Sequence, residues 1–308
     1  MRDGGNKMKL TAFAKYAWGF VAYNLIVIMW GAFVRATGSG AGCGEHWPTC
    51  QGNIIPQSPE LKTLIEYSHR LTSGLALIGV VVLFIWAWRA YAPRHIVRKA
   101  AAWSLFFMLT EALLGASLVL LRYVEDDVSM GRLISMPVHL FNTFLLVGAI
   151  SLTAWWASWG KPWDLKSEAK VKRKMAGAIG FLLVIGMSGA ITALGDTLFP
   201  VGQDYQSNVH SFAAQILVDF RIFHPIIAVL SGLYIIFMAI HYERNGGDRE
   251  TRFLGRSLTF LFLFQLLVGT ANVILRAPVW LQLFHLLVAD LVWISLVLLT
   301  AKVLTKEE

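Results

Sequence analysis

Eight apolar stretches, each about as long as a membrane-spanning helix, constrain this chain more than any other feature of its sequence. A bilayer core about 30 Å thick needs ~20 apolar residues per helix, so eight spans use about half of the chain. Little is left for a separate soluble domain, and the stretches lack the alternating pattern of a transmembrane β-barrel. They lie at roughly 16–36, 69–90, 100–121, 137–158, 175–195, 222–242, 254–275 and 280–303.

The composition agrees with this interpretation. Hydrophobic residues make up 56% of the 308 residues and charged residues 15%, against about 45–50% and ~25% in soluble domains. These values exclude a soluble globular protein, and the aromatic and aliphatic content excludes a disordered chain. We therefore predict an all-α integral membrane protein with eight transmembrane helices.

The formal charge of +8 reflects membrane topology. Five regions hold 20 of the 27 Lys and Arg residues: the N-terminal tail, 89–99, 161–174, 244–256 and the C-terminal end from 302. By the positive-inside rule both termini are cytoplasmic, in a multi-pass protein of the cytoplasmic (inner) membrane. We expect the lipid bilayer and no nucleic acid as a partner, and we expect the first stretch to be a retained helix rather than a cleaved signal peptide.

The two halves of the chain repeat each other. In the third and seventh stretches, Glu111, Gly115 and Arg122 match Gln265, Gly269 and Arg276 at an offset of 154 residues. In the even-numbered stretches, His69 and His139 match His224 and His285, at offsets of 155 and 146. We predict two tandem, pseudo-symmetric four-helix bundles, at 1–160 and 161–308, related by an axis along the membrane normal.

Each predicted half carries one histidine pair near the extracytoplasmic ends of its helices. A single histidine in an apolar helix is commonly a hydrogen-bonded core residue, but four at repeated positions indicate a ligand set, since intramembrane ionisable residues are costly. Two imidazoles from alternate helices suit the axial ligation of a haem. Zinc or copper is the competing metal, but such sites need three or four ligands. We favour one bis-histidine haem in each half.

Four arginines near the same ends are candidate partners for haem propionates. Ordinary interfacial placement of a long basic side chain is the alternative for any one of them. The candidates are Arg35, Arg70, Arg122 and Arg276.

Acidic residues distinguish the halves. Glu66 precedes His69 by three residues, on the same face of a helix, whereas the matching position in the second half is Arg221. A carboxylate beside one site suggests that the first site reacts and the second serves it. The alternative is that Glu66 is a structural counter-charge for Arg70. Two further acids in apolar stretches, Glu111 and Asp290, have no assigned role.

Cys43 and Cys50 lie in the predicted first extracytoplasmic loop, where disulfides are permitted. A disulfide would stabilise the loop, whereas a redox-active pair would pass electrons or meet a thiol oxidoreductase. A metal site formed with His46 lacks a fourth ligand. The remaining histidines, His95, His210 and His241, are expected to be solvated.

These residues together resemble the haem A synthase family over essentially the whole chain. The resemblance is carried by the segment from Gly31 to Gly40, by Trp47-Pro48 between the paired cysteines, by Glu66-x-x-His69-Arg70, and by His139, His224 and His285 on alternate helices. Glu45-His46 before Trp47 departs from the shorter spacer expected in many relatives.

The resemblance implies an oxidoreductase that converts haem O to haem A during terminal oxidase assembly. In that case His69 and His139 would hold haem O, Glu66 would take part in the chemistry, and His224 with His285 would ligate a resident haem b. Cys43 and Cys50 transfer less firmly, because family members differ in them. Haem O synthase is the implied partner, with an unknown electron acceptor. The alternatives are a transmembrane dihaem b-type electron carrier and a haem-binding chaperone.

Overall fold

The computed structural model describes residues 10–57, 59–159, 168–200 and 211–305. These residues form eight α-helices and no named strand, and every helix is long and apolar enough to cross a membrane. The helices are α1 (Ala12–Ala36), α2 (Leu61–Ala90), α3 (Ile96–Leu120), α4 (Met130–Trp159), α5 (Ala169–Leu198), α6 (Phe212–Asn245), α7 (Arg249–Ile274) and α8 (Val279–Val303). The predicted all-α, eight-span membrane fold is confirmed.

Several helices begin earlier than their apolar stretches. α2 starts at Leu61, α4 at Met130 and α6 at Phe212, which is seven to ten residues before the stretches at 69, 137 and 222. The reason is local: Ser211, for example, caps α6 by accepting a hydrogen bond from the Ala214 backbone N–H at 3.1 Å, as an N-cap serine does. Polar end turns do not register as apolar sequence, so the histidines lie inside their helices rather than at the ends.

The helices pack as two rings of four. Each consecutive pair from α1 to α4 is in contact, and α1 also contacts α4; the same holds from α5 to α8, with α5 against α8. Contacts of α1 and α4 with α5 and α8 join the rings. At this junction Trp293 donates a hydrogen bond to the Phe144 carbonyl at 2.6 Å and stacks on its ring. The division at 160/161 stays a prediction, since residues 160–167 lie outside the described part.

The repeat extends to backbone conformation. Beyond the C-termini of α3 and α7, Arg122 and Arg276 are both left-handed, with φ of 59° and 61°. Each is followed by a residue whose N–H closes the helix end: Tyr123 to Leu118 and Ala277 to Asn272, both at 2.8 Å. The two halves therefore end the matching helix with the same hydrogen-bonded turn, which is typical of helix C-termini.

Candidate functional site

The four predicted histidines share one local geometry: each imidazole faces a glycine on the preceding helix. The pairs are Gly31–His69, Gly115–His139, Gly189–His224 and Gly269–His285. A Cβ atom placed on Gly31 would lie 2.9 Å from His69 Cε1, and one placed on Gly115 would lie 3.9 Å from His139 Cε1. The missing side chains leave space for the imidazoles, so the histidines are accommodated by the neighbouring helix.

Within each half the two histidines come from alternate helices, His69 and His139 from α2 and α4, and His224 and His285 from α6 and α8. α2 and α4 are not neighbours in the first ring, and α6 and α8 are not neighbours in the second, among the described residues. Helices on opposite sides of a four-helix ring place inward side chains in its interior. The two imidazoles of each half thus come from opposite sides of its ring.

The donor set fits a haem. The Nδ1 atoms of His69, His139 and His285 are buried and have no hydrogen-bond partner among the described residues, while His224 Nδ1 lies 2.9 Å from Ser188 Oγ. Neutral imidazole is the ligand form that haem iron takes. The described residues contain no group of three or more His, Cys, Asp or Glu side chains suited to a metal ion.

Repeat-related residues on α3 and α7 contact the histidine of the next helix. Glu111 Oε1 lies 3.7 Å from His139 Nε2, and Glu111 accepts hydrogen bonds from Asn142 Nδ2 at 2.6 Å and Thr143 Oγ1 at 2.5 Å. In the second half, Gln265 Nε2 lies 3.3 Å from His285 Nε2. The sequence singled out Glu111 without a role; the structure places it beside His139.

Glu66 is buried, with 3% of its surface exposed, and both of its oxygens are engaged. Oε1 accepts from Arg70 Nε at 3.0 Å and Nη2 at 2.5 Å, and Oε2 accepts from the Cys43 backbone N–H at 2.7 Å. Arg70 Nη1 in turn donates to the carbonyls of His46 and Thr49, both at 2.6 Å. Glu66 is thus a counter-charge for Arg70, and this ion pair connects the first loop to α2. A chemical role for Glu66 stays a prediction.

Cys43 and Cys50 form a disulfide, and they are 0% and 1% exposed. The pairing expected of an extracytoplasmic loop is present. A redox-active cysteine pair is usually exposed to its thiol partner, but these two cysteines are buried. Because their sulfurs are bonded to each other, neither is a thiolate that could bind a metal. Whether the pair cycles stays a prediction.

The four arginines differ in what they contact. Arg35 reaches from α1 across to the second ring, donating to the Ala193 carbonyl at 2.5 Å, to Thr197 Oγ1 and to Gln282 Oε1 at 3.0 Å. Arg70 is occupied by the first loop, and Arg122 pairs with Glu45 at the surface. Arg276 is exposed and has no side-chain partner among the described residues. The propionate assignments stay predictions, and Arg276 is the one of the four with no side-chain partner among the described residues.

Sequence reasoning missed an acid in the second half. Arg221, which matches Glu66, donates from Nε to Asp196 Oδ1 at 2.8 Å and from Nη2 to the Gly195 carbonyl at 3.1 Å. The second half therefore has a carboxylate at this end, but on α5 instead of α6. Arg221, which stands where the first half has Glu66, could have indicated that an acidic residue lies nearby to pair with it. His210 lies outside the described residues.

Comparison with known proteins agrees with this geometry. A family model described as cytochrome oxidase assembly protein (COX15-CtaA) matches residues 14–297. The chain belongs to this family. A family relative named heme A synthase, from Bacillus mycoides, is 28% identical over 272 residues, covering 85% of this chain and 83% of that protein. Another heme A synthase, from Halalkalibacterium halodurans, is 45% identical over 95 residues, or 31% of this chain and 32% of that protein. The predicted family is confirmed.

A protein of Thermus thermophilus named protoheme IX farnesyltransferase is 48% identical over 295 residues, covering 95% of this chain. The match covers 48% of that protein. The chain thus spans about half the length of this relative.

Proposed function

We propose that this protein is a haem A synthase, an oxidoreductase that converts a ring methyl of haem O to the formyl group of haem A. The observation that carries the proposal is the glycine-backed histidine pair, present once in each ring of a chain from a cytochrome oxidase assembly family. Relatives named heme A synthase support the reaction.

In this proposal His69 and His139 hold haem O, and His224 and His285 hold haem b. When bound, haem b supplies one-electron redox chemistry next to the reacting half. The hydrogen bond between Ser188 and His224 Nδ1 fixes one ligand of the second half, whereas His69 Nδ1 has no such partner among the described residues. A fixed ligand suits a resident group, and a less restrained one suits a substrate that must enter and leave.

Two imidazoles on one iron leave no position for oxygen, so direct oxygenation at the iron would require His69 or His139 to dissociate. The alternative is a four-electron oxidation of the methyl group, in which the electrons pass to an external acceptor, one water supplies the formyl oxygen and four protons are released. In that route Glu66 takes up a proton or stabilises developing positive charge. Its hydrogen bonds from Arg70 and the Cys43 N–H hold the carboxylate in place, with its position coupled to the disulfide loop.

Haem O synthase is the proposed partner that supplies the substrate. The named farnesyltransferase of Thermus thermophilus has a matched part and an unmatched part of similar size. We infer that the farnesyltransferase activity lies in the unmatched part, so that the relative joins production and use of a farnesylated haem in one chain. We also propose the cytoplasmic membrane, cytoplasmic termini, and an electron acceptor that is still to be identified.

The test is to express the protein with a source of haem O, purify it in detergent and identify the extracted haems by chromatography and mass spectrometry. Haem A or a hydroxylated precursor is the expected product. The Glu66→Gln variant should bind both haems without conversion. Glu45→Gln is the matched control, because the ion pair of Glu45 with Arg122 lies at the protein surface. Recovery of haem b alone, with haem O available, would overturn the proposal in favour of the electron-carrier alternative.

A further inference from the structure

A groove of about 360 Å³ lies between α1 and α2. It is lined by Tyr16, Gly19, Phe20, Tyr23, Leu75 and Gly79. It opens to the outside of the ring, where Leu75 is 59% exposed. The volume falls in the range of ligand-binding clefts, about 300–1,000 Å³, so the groove is large enough for part of a small ligand.

The groove has a rigid apolar wall. Tyr16 donates its hydroxyl hydrogen to the Gly79 carbonyl and Tyr23 to the Thr72 carbonyl, both at 2.8 Å. These bonds fix the two phenols and satisfy their polar ends. Phe20 stacks on both rings, with interplanar angles of 2° and 18°. A hydrocarbon chain in the groove would therefore contact aromatic faces and find no unsatisfied donor on these phenols.

The groove lies on the two helices that carry Gly31 and His69, and its lining residues on α2, Leu75 and Gly79, follow His69 by six and ten residues. Thr72, which accepts the Tyr23 hydrogen bond at one end, is also bonded through its own hydroxyl to the His69 carbonyl at 3.0 Å. Gly79 at the other end is ten residues beyond His69 on α2, or about 15 Å along a helix axis. The same two helices provide Gly31 and His69. The groove thus lies along the same pair of helices as the proposed haem O site, farther from the first loop than His69.

The corresponding position in the second half is filled. At the offset that relates His69 to His224, Gly79 matches Tyr234. At the offset that relates Gly31 to Gly189, Gly19 matches Gly177. Tyr234 donates to the Lys174 carbonyl at 3.1 Å, and its hydroxyl oxygen lies 3.3 Å from a Cβ atom placed on Gly177. A Cβ atom on Gly19 meets nothing within 4 Å. One half leaves the space open, and the other closes it with a tyrosine.

We propose that the groove between α1 and α2 binds the farnesyl chain of haem O; this inference rests on the proposed function. Haem O carries a farnesyl chain and haem b does not, and the chain is attached on a ring edge away from the propionates. Propionates directed toward the polar loops place the chain deeper in the membrane, where the groove runs. The half proposed to hold haem b needs no such space, and Tyr234 fills it.

The test compares two probes, haem O and protohaem, titrated into the purified protein and its variants and followed by absorbance. Gly19→Leu places a larger side chain in the groove, where an added Cβ atom has nothing within 4 Å, and Gly180→Leu is the matched control, because a Cβ atom on Gly180 of α5 also has nothing within 4 Å. The wild type should prefer haem O. Gly19→Leu should reduce that preference by about tenfold while protohaem affinity and the spectrum stay unchanged, and Gly180→Leu should behave as wild type.

Leu75→Trp narrows the groove from the α2 wall and should reproduce the effect, with melting temperature confirming that both variants fold. If the groove variants keep the wild-type preference while haem A is still made, the farnesyl site is overturned and the proposed function stands. If the wild type binds no haem O, the proposed function fails and the site with it. Loss of co-purifying phospholipid with unchanged haem preference would assign the groove to a lipid acyl chain and overturn the proposal.

Discussion

Replacing Gly31 with alanine tests whether the histidine–glycine contact sets the first haem site. The added Cβ would lie 2.9 Å from His69 Cε1 and 3.2 Å from Nε2. Carbon atoms pack best about 3.5–4.0 Å apart, so the imidazole must move by roughly 0.6–1.1 Å. Binding constellations tolerate about 0.5 Å of displacement. We therefore expect haem affinity at the first site to fall by roughly 10–100-fold, as for other disturbances of ligand orientation.

The assay is the haem-to-protein ratio of the purified variant, measured by absorbance and by extraction. Glycine to alanine favours a helix by about 1 kcal/mol, so the haem should be lost from a folded protein. Gly115→Ala is the control: its Cβ would lie 3.9 Å from His139, an ordinary contact, and haem should be retained. Gly189→Ala, at 3.1 Å from His224, should lose haem from the second site instead. Equal haem loss in Gly31→Ala and Gly115→Ala, or none in either, would refute the reasoning.

Three further perturbations have expected outcomes. Arg35→Ala removes the hydrogen bonds from α1 to α5 and α8 and should lower the free energy of unfolding by about 1–3 kcal/mol, seen as a lower melting temperature, whereas exposed Arg276→Ala should change little. Cys43→Ser opens the disulfide loop and should cost about 2–4 kcal/mol; an unchanged melting temperature would contradict a structural role. Asp248→Ala removes the N-cap of α7, whose carboxylate accepts from two backbone N–H groups at 2.9 and 3.0 Å, at a cost of about 1 kcal/mol. Burial acts to raise the pKa of Asp248, but hydrogen bonds from Thr251 and the nearby Lys302 charge outweigh it and hold that pKa below its usual value. The effect of Asp248→Ala on melting temperature should therefore be full at neutral pH and disappear as the pH falls below about 4; a difference that persists in acid would contradict the assignment.

The sequence was sufficient for the number of helices and for the histidine pairs, because long apolar stretches and repeat offsets are visible in one dimension. It did not indicate that His69 would face Gly31. Membrane helices carry apolar residues on all sides, so no polar face indicates their rotation, and packing is decided by small residues and shape. Gly31 and Gly115 both lie within the sequence motifs described above, but the sequence did not indicate which histidine each glycine contacts.

Polar contacts between helices were the least predictable part. Arg35 was expected near a propionate, yet in the structure it donates to residues of α5 and α8. Asp196 was not singled out, although it pairs with Arg221. Each of these contacts joins residues more than twenty positions apart, and the sequence pattern gives neither the distance nor the direction of a side chain. Interfacial arginines have several acceptors in reach, so type and position alone do not decide among them.

The differences between the rings carry the functional argument further than their likeness does. Three matched positions diverge in character: Glu66 with Arg221, Glu111 with Gln265, and Gly79 with Tyr234. In the first ring these positions hold two carboxylates and an open groove, and in the second they hold a cation paired with Asp196, an amide and a tyrosine. A pair of equivalent electron-transfer sites needs none of these differences. A substrate site beside a resident site needs acid groups that handle protons and room for the part of the substrate that the resident group lacks. The differences between the rings therefore favour an enzyme over a symmetric dihaem electron carrier. The Gly19→Leu variant tests substrate binding, and the Glu66→Gln variant tests the chemical step.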